Sequence, residues 1–551
     1  MTSVAPSGER FHLNASFAQA AVTAPPSLWD HLTRLLLLVA VVMVMLTFTD
    51  YGLTHDEEVQ AIYGEKLLSL YTSLFADRAA FSYLDLFWYG GLFDLVAAIL
   101  NKVSPFGYYE TRHLLGGLVG VAGLAGAWRL GRLAGGPRAG FLAALLLALT
   151  PVFYGHSFNN PKDAPFAVAM LWLVYTIAKV AAELPRPSWS TVVKLGIALG
   201  VALCIRVGAL LGIGYLGLAV LAHVAITVTR WGAAEGGRSL WTATLRLLPA
   251  AGIAYALVAV FWPWAVLDPL NPIRALQHFS GYDIDIQSLF AGSLVKATQL
   301  PAGYVLGYVV VTMPELVLAG FVAFAAGALA WKRRRPGESG AAQALAALAL
   351  AFPIAFFAVV RPTAYDGLRH FLFVVPPLVV LAAVGLNRLW IWAASRSARA
   401  GGAVVGLLAA AVVAQGWMMV KLHPDEYIYY NLLVGGVAGA DGSWEMDYWS
   451  NSFHEAADTV AEIVRIENGG EVPTDHVTKV RICGNDLSAS YFFPPYLRLT
   501  DSPEDAEFVI AFTQGDCWKT WRGRNIAEIE RFGVVLAVVK DRRGLADRSE
   551  D

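Results

Sequence analysis

The sequence predicts a polytopic α-helical membrane protein with about eleven spans and a small soluble α/β domain at its C-terminal end. Three observations predict it. Of 551 residues, 56% are hydrophobic and only 15% are charged, against about 25% charged in soluble domains. The apolar residues gather into runs near the roughly 20 residues that cross a hydrocarbon core. The Lys and Arg residues separate those runs in alternate loops, and near 421 the composition turns polar.

The expected spans are 35–48, 114–130, 139–153, 164–180, 192–205, 207–228, 247–266, 304–331, 341–360, 371–392 and 403–420. The shorter runs borrow flanking residues or tilt. Residues 1–27, with Pro6, Pro25 and Pro26 and no apolar core ahead of a cleavage site, read as a disordered tail and not a signal peptide. Asn14-Ala15-Ser16 matches a glycosylation acceptor, but so short a pattern carries no weight on this side of the membrane.

Orientation follows from the basic clusters, because positively charged short loops stay in the cytoplasm. Arg129/Arg132/Arg138, Lys179/Arg186/Lys194, Arg230/Arg238/Arg246, Lys332/Arg333/Arg334/Arg335 and Arg388/Arg396/Arg399 all fall in alternate loops, and Arg34 marks the same side. The expected protein sits in a bacterial inner membrane with a cytoplasmic N-terminus and a periplasmic C-terminal domain. A net charge of −2 without a single basic face excludes nucleic acid as a partner.

Two outward segments are long. In the first, 50–112, the stretches 59–75 and 83–103 read as helices lying along the interface, because a full crossing by the second would put Arg129–Arg138 outside. In the second, 421–551, period-two runs at 479–482, 508–512 and 533–539 alternate with an amphipathic helix at 452–466. Cys204 reads as a packing residue within a span, while Cys483 and Cys517 lie in the outer domain, where a bridge and two separate thiols are both open.

Four polar groups fall in outward turns. Asp50-Tyr51-Gly52-Leu53-Thr54-His55-Asp56-Glu57-Glu58 follows the first span, and Tyr154-Gly155-His156-Ser157-Phe158-Asn159-Asn160-Pro161-Lys162-Asp163 links the third and fourth. Each is also a good helix start, with a cap and acidic residues in the first turn. Arg206 stands where the run 192–228, too long for one span, reverses. Arg361-Pro362-Thr363-Ala364-Tyr365-Asp366-Gly367-Leu368-Arg369-His370 forms the fourth group. Arginines converging outside suit an anionic headgroup, because the guanidinium fork matches phosphate oxygens.

In this order and sidedness the groups resemble a GT-C membrane glycosyltransferase of the family 39 type, which includes protein O-mannosyltransferases, the lipid A aminoarabinose transferase and galacturonosyltransferases. The resemblance spans roughly 30–420, so 28–420 is the expected glycosyltransferase domain and 421–551 an added α/β domain. It implies a polyprenyl-phosphate sugar donor, a lipid, glycan or protein acceptor and an inverting displacement. Carried onto this chain, the catalytic acidic position is Asp56, with Glu57 beside it, and Asp163 is the second acidic position. Arg206 and Arg369 match basic positions that hold the donor phosphate, with Lys162, His55 and His370 as basic neighbours. No cofactor is required, although in some members the second acidic position serves a divalent cation. Where relatives of the aminoarabinose enzyme carry Lys-Pro-Pro, this chain reads Leu84-Asp85-Leu86-Phe87-Trp88-Tyr89-Gly90-Gly91.

One carboxylate can take the acceptor hydroxyl's proton as it attacks. The leaving phosphate is already anionic and needs cations more than a proton. The rival expectations are a lipid or saccharide transporter, which would carry mid-membrane charges and an internal repeat, and an inactive saccharide-binding scaffold. An enzyme requires Asp56, Asp163 and Arg206 around one outward cavity, and a scaffold does not.

Overall fold

A computed structural model describes residues 26–282, 284–330, 338–514 and 517–544. The expected tail, up to residue 25, and the cluster Lys332/Arg333/Arg334/Arg335 lie outside the described residues. Leaving aside helices of six residues or fewer, the membrane part comprises α1 (Leu28–Thr47), α2 (His55–Thr72), α3 (Leu92–Asn101), α4 (Tyr108–Ala148), α5 (Pro151–Asn159), α6 (Asp163–Glu183), α7 (Trp189–Leu203), α8 (Leu210–Trp231), α9 (Ala233–Phe261) and α10 (Asn271–Ser280). A hairpin of β1 (Gln287–Phe290) and β2 (Ser293–Lys296) follows, then α11 (Tyr304–Thr312), α12 (Glu315–Ala330), α13 (Gly340–Val360), α14 (Val375–Arg396) and α15 (Ala398–Leu422).

Among the described residues eight helices are long and apolar enough to cross a membrane, and α11 with α12 makes a ninth, bent by 114°. This count differs from the eleven expected spans at two places. The expected spans 114–130 and 139–153 are both present as the two arms of one element, because α4 reverses at Gly136 (φ 85°), so that a Cβ on Gly140 would meet the Trp128 carbonyl at 2.8 Å, and the second run continues past Ala148 into α5. Glycine tolerates that positive φ, and Pro137 restarts the helix where no amide donor is needed. The run 192–205 forms α7, only 15 residues long.

The expected single helix over 304–331 is instead broken at Met313-Pro314. The residue before proline is pushed to extended backbone, and Met313 adopts φ −87°, ψ 138°. The carbonyls freed by the break are satisfied in place, because Asn431 Nδ2 donates to Val310 O (2.6 Å) and Met313 O (2.8 Å). The expected interfacial helix over 83–103 is also corrected, since only α3 is a regular α-helix there. Gly91 N instead donates to Phe261 O (2.8 Å) and Leu92 N to Cys204 O (3.1 Å). A Cβ on Gly90 would lie 2.0 Å from the Cys204 backbone, so only glycine admits this approach.

The centre of the bundle is α14, with 94% of its most apolar window buried. It meets α12 backbone to backbone, a Cβ on Gly385 reaching the Gly320 carbonyl at 2.0 Å, the small-residue contact by which membrane helices pack closely. At the other extreme α15 has none of its window buried. Its apolar face has hydrocarbon as its solvent.

The C-terminal part holds α16 (Phe453–Glu467), β3 (Thr478–Cys483), β4 (Leu497–Leu499), β5 (Phe508–Phe512), β6 (Arg524–Arg531) and β7 (Val534–Asp541). The sheet order is β4-β3-β5-β7-β6, with β3 parallel to both neighbours and β7 antiparallel to β5 and β6. On one face Phe453, Val460 and Val464 of α16 pack on Val480, Ile482, Ile510 and Val539. Cys483 and Cys517 form a disulfide on the other.

Candidate active site

Four chain reversals meet at one end of the bundle. The first is the start of α2, where Thr54 and Glu57 form a capping box. This places Asp56 in the first turn, where the helix dipole favours a carboxylate. The second is the start of α6. Asn160 Oδ1 accepts from Asp163 N (2.8 Å) and Lys162 N (3.3 Å), so the asparagine closes the turn and frees Asp163 to face inward. The two are tied together by Thr54 Oγ1, which donates to Asn159 O (3.0 Å). Arg206, between α7 and α8, and Arg369, ahead of α14, supply the third and fourth reversals.

Arg369 joins the carboxylates. Its Nη1 lies 2.7 Å from Asp56 Oδ2 and 3.8 Å from Asp163 Oδ2, and its Nη2 lies 2.9 Å from Asp366 Oδ2. Lys162 Nζ approaches Asp56 Oδ2 at 3.1 Å and Arg206 Nη1 approaches Asp163 Oδ1 at 2.7 Å. Three carboxylates thus face three cations. The side chain of Arg369 is 2% exposed, its guanidinium lying over Tyr365 and Trp449 at 4.6 and 5.1 Å from their ring centroids. The Nε atoms of Arg369 and Arg206 are buried and find no hydrogen-bond acceptor among the described residues. Both side chains keep donor capacity for an anion.

Burial opposes ionisation of Asp56, but the charges of Lys162 and Arg369 outweigh it and hold the carboxyl below the ordinary carboxylate range. Burial moves Asp366 the other way, upward, against the pull of Arg369. Environment therefore separates two carboxylates that share one arginine.

Beside this cluster opens a cavity of about 280 Å³. Phe166, Leu211, Phe352, Phe356 and Phe373 are among its apolar lining, and Arg206, His370, Tyr89 and Tyr365 are among its polar lining. Of the three residues expected around one cavity, Arg206 lines it and Asp56 and Asp163 do not. Asp163 pairs with Arg206, and Asp56 pairs with Arg369, which is likewise outside the wall. The expectation is corrected to one arginine at the cavity with the carboxylates linked to it through ion pairs.

Of the residues singled out in the sequence, the structure brings together Asp56, Lys162, Asp163, Arg206 and Arg369, with His370 at the cavity. It does not bring in Glu57, which is 1% exposed and spent on Thr54 (3.0 Å to its N) and His113 (2.9 Å). Nor does it bring in the His55 ring, whose Nδ1 meets Asn485 Nδ2 at 2.9 Å. Sequence reasoning gave no role to Tyr89, Tyr365, Asp366 or Trp449. The Tyr89 ring centroid lies 5.6 Å from Lys162 Nζ and 5.5 Å from the Arg206 guanidinium. The signal for it was the glycine pair that follows, which allows the backbone to press against Cys204 next to Arg206.

The polar cluster beside a largely apolar cavity sits on a known architecture. The family model of dolichyl-phosphate-mannose-protein mannosyltransferase matches residues 111–264. ArnT from Cupriavidus metallidurans, in its crystal structure bound to undecaprenyl phosphate, superposes with a TM-score of 0.51 at 17% identity, over 93% of this chain and 98% of that one. The chain has the GT-C glycosyltransferase fold. The oligosaccharyltransferase of Archaeoglobus fulgidus, tethered to an acceptor peptide, matches less well, with a TM-score of 0.46 at 12% identity, over 87% of this chain and 65% of that one. Among curated proteins none matches the sequence.

On this GT-C scaffold a divalent cation would have to displace Lys162 and Arg369 from Asp56, or Arg206 from Asp163. The carboxylates as they stand do not fit one.

Proposed function

We propose that this chain transfers a glycosyl group, with inversion, from a polyprenyl-phosphate donor to a hydroxyl of a lipid, glycan or protein acceptor at the outer face of a bacterial inner membrane. The observation that carries the reading is the ion-pair cluster in which Lys162 and Arg369 hold Asp56 and Arg206 holds Asp163, beside a cavity lined mainly by apolar side chains. A prenyl chain requires such a wall, and its phosphate requires such cations. ArnT, whose fold this chain shares, binds undecaprenyl phosphate, which supports that class of donor. The alternation of basic loops supports the outward orientation, with 28–420 as the glycosyltransferase domain and 421–551 beyond the outer surface.

In this reading the donor phosphate engages Arg206 and Arg369 through donors that are unspent at rest. Its charge then offsets the cations that hold Asp56 acidic, and Asp56 gains proton affinity. It takes the acceptor proton as the hydroxyl attacks the anomeric carbon, and the bond to the phosphate oxygen breaks. The site needs no protonated acid, because the leaving phosphate departs as an anion.

The test is incubation of the purified protein with a panel of polyprenyl-phosphate sugars and hydroxyl acceptors. Release of lipid phosphate that depends on the acceptor is the expected result. No release with any donor, together with movement of the intact donor between leaflets of a vesicle, would establish the transporter alternative.

A further inference from the structure

A buried asparagine in the segment between α15 and the sheet spends its whole amide on three separate parts of the molecule. Asn451 Oδ1 accepts from Gly52 N (2.9 Å) and from Asn159 Nδ2 (2.8 Å). Its Nδ2 donates to Asp425 Oδ1 (2.6 Å) and Pro424 O (3.2 Å). Two donors meet the oxygen and two acceptors meet the nitrogen, so the amide is fully satisfied in one orientation. The residue is 1% exposed.

The two groups it holds on the oxygen side precede the two acidic turns of the site. Gly52 leads through Thr54 to Asp56, and Asn159 leads through Asn160 to Asp163. The approach is close enough to demand glycine, since a Cβ on Gly52 would meet the Asn451 carbonyl oxygen at 2.1 Å. A second glycine repeats the device on α5, which leads into the Asp163 turn, with a Cβ on Gly155 lying 2.8 Å from Tyr427 N. On the nitrogen side, Asp425 is fully buried and paired with Arg531 Nη2 of β6 at 3.0 Å. One continuous chain of polar contacts therefore runs from the sheet, through Arg531, Asp425, Asn451 and Asn159, to the turn that presents Asp163.

We infer that Asn451 is a positioning residue and that, through it, the C-terminal sheet sets the geometry of the Asp56 and Asp163 turns. Its consequence for turnover rests on the glycosyltransferase reading, whereas its consequence for local order does not. Hydrogen exchange of the full-length protein in detergent, followed by mass spectrometry, separates the two. In Asn451→Ala, peptides covering 50–56 and 157–164 exchange faster by about tenfold, the change that one hydrogen bond of ordinary net worth produces. In Arg531→Gln, which leaves the amide intact, the same two segments loosen while β3, β5 and β7 exchange as in wild type. If Asn451→Ala opens the whole chain, Arg531→Gln decides. Wild-type exchange at 50–56 and 157–164 in Arg531→Gln overturns the inference, as does loosening confined to the sheet. Turnover of undecaprenyl-phosphate sugars is expected to fall in both variants through kcat, with the affinity for undecaprenyl phosphate unchanged, and a loss of affinity alone would contradict a positioning role. Faster exchange with no turnover even in wild type would sink the glycosyltransferase reading and leave the positioning intact.

Discussion

Asp56 at rest is a poor base, because Lys162 and Arg369 stabilise its anion more than burial destabilises it. Its folded pKa is depressed, so it stays ionised through the neutral range and its ion pairs are lost only as pH falls through the lowered value. The acid limb of kcat/KM that belongs to Asp56 should therefore lie below the ordinary carboxylate range. It should move up in Lys162→Met, as a pH–rate profile of the two proteins shows, and no movement would separate Asp56 from the rate. Arg206 acts differently. Arg206→Lys keeps the charge but loses the planar fork, so the affinity for undecaprenyl phosphate, read by titration, is expected to fall by about 1–3 kcal/mol. Asp56, Asp163, Arg206 and Arg369 could be read from the sequence because each stands at a polar reversal between apolar runs. Tyr365 and Asp366 were visible in the same string as Arg369, yet their roles depend on which face of the turn meets Arg369. Trp449 lies 80 positions away, and no local pattern brings it over that guanidinium.

At the scale of elements, the turns of the site are held by the segment that leaves α15. His423 Nε2 meets Asp50 Oδ2 at 3.0 Å and its Nδ1 meets Glu426 Oε1 at 2.8 Å. Burial lowers its proton affinity, but the bonds to Glu426 and Asp50 prevail and raise its pKa to about 9. A raised histidine pKa adds stability that is complete below the unfolded value near 6.5 and disappears as pH climbs through the folded one. Thermal unfolding between pH 6 and 10 should show this loss in wild type, and His423→Gln should flatten it. Equal pH dependence in both would remove His423 from the joint. The elements themselves were legible where hydrophobic length decided them, as in α1, α6, α8 and α13. The reversal at Gly136 was legible too, because the Arg129/Arg132/Arg138 cluster separates the two arms of α4. The elements were not legible where one residue broke the pattern: Pro314 split one expected span, and Gly90-Gly91 replaced helix with a backbone contact. Each break depends on what the freed carbonyl or the missing Cβ finds nearby, and periodicity carries no information about that.

For the whole molecule, the membrane architecture was written in composition and in the spacing of apolar runs, and the period-two strands of the C-terminal part were equally plain. The docking of that sheet against the bundle was not, because Arg531, Asp425 and Asn451 are unremarkable polar residues in sequence and become a connected path only when folded. Sidedness rests on the alternating basic loops, so a reporter fused after Asp551 that works only in oxidising compartments is expected to be active, and activity of a cytoplasm-only reporter there would reverse the orientation. The central claim is that Asp56 is the base of a transfer from a lipid-phosphate sugar. It is tested most directly by comparing wild type with Asp56→Asn in proteoliposomes for acceptor-dependent release of polyprenyl phosphate. Asparagine keeps the shape and much of the helix-start chemistry while removing the proton acceptor. Release should fall by about 10²–10⁴-fold while the variant still inserts and binds undecaprenyl phosphate. Release near the wild-type rate from a properly inserted Asp56→Asn protein would contradict it.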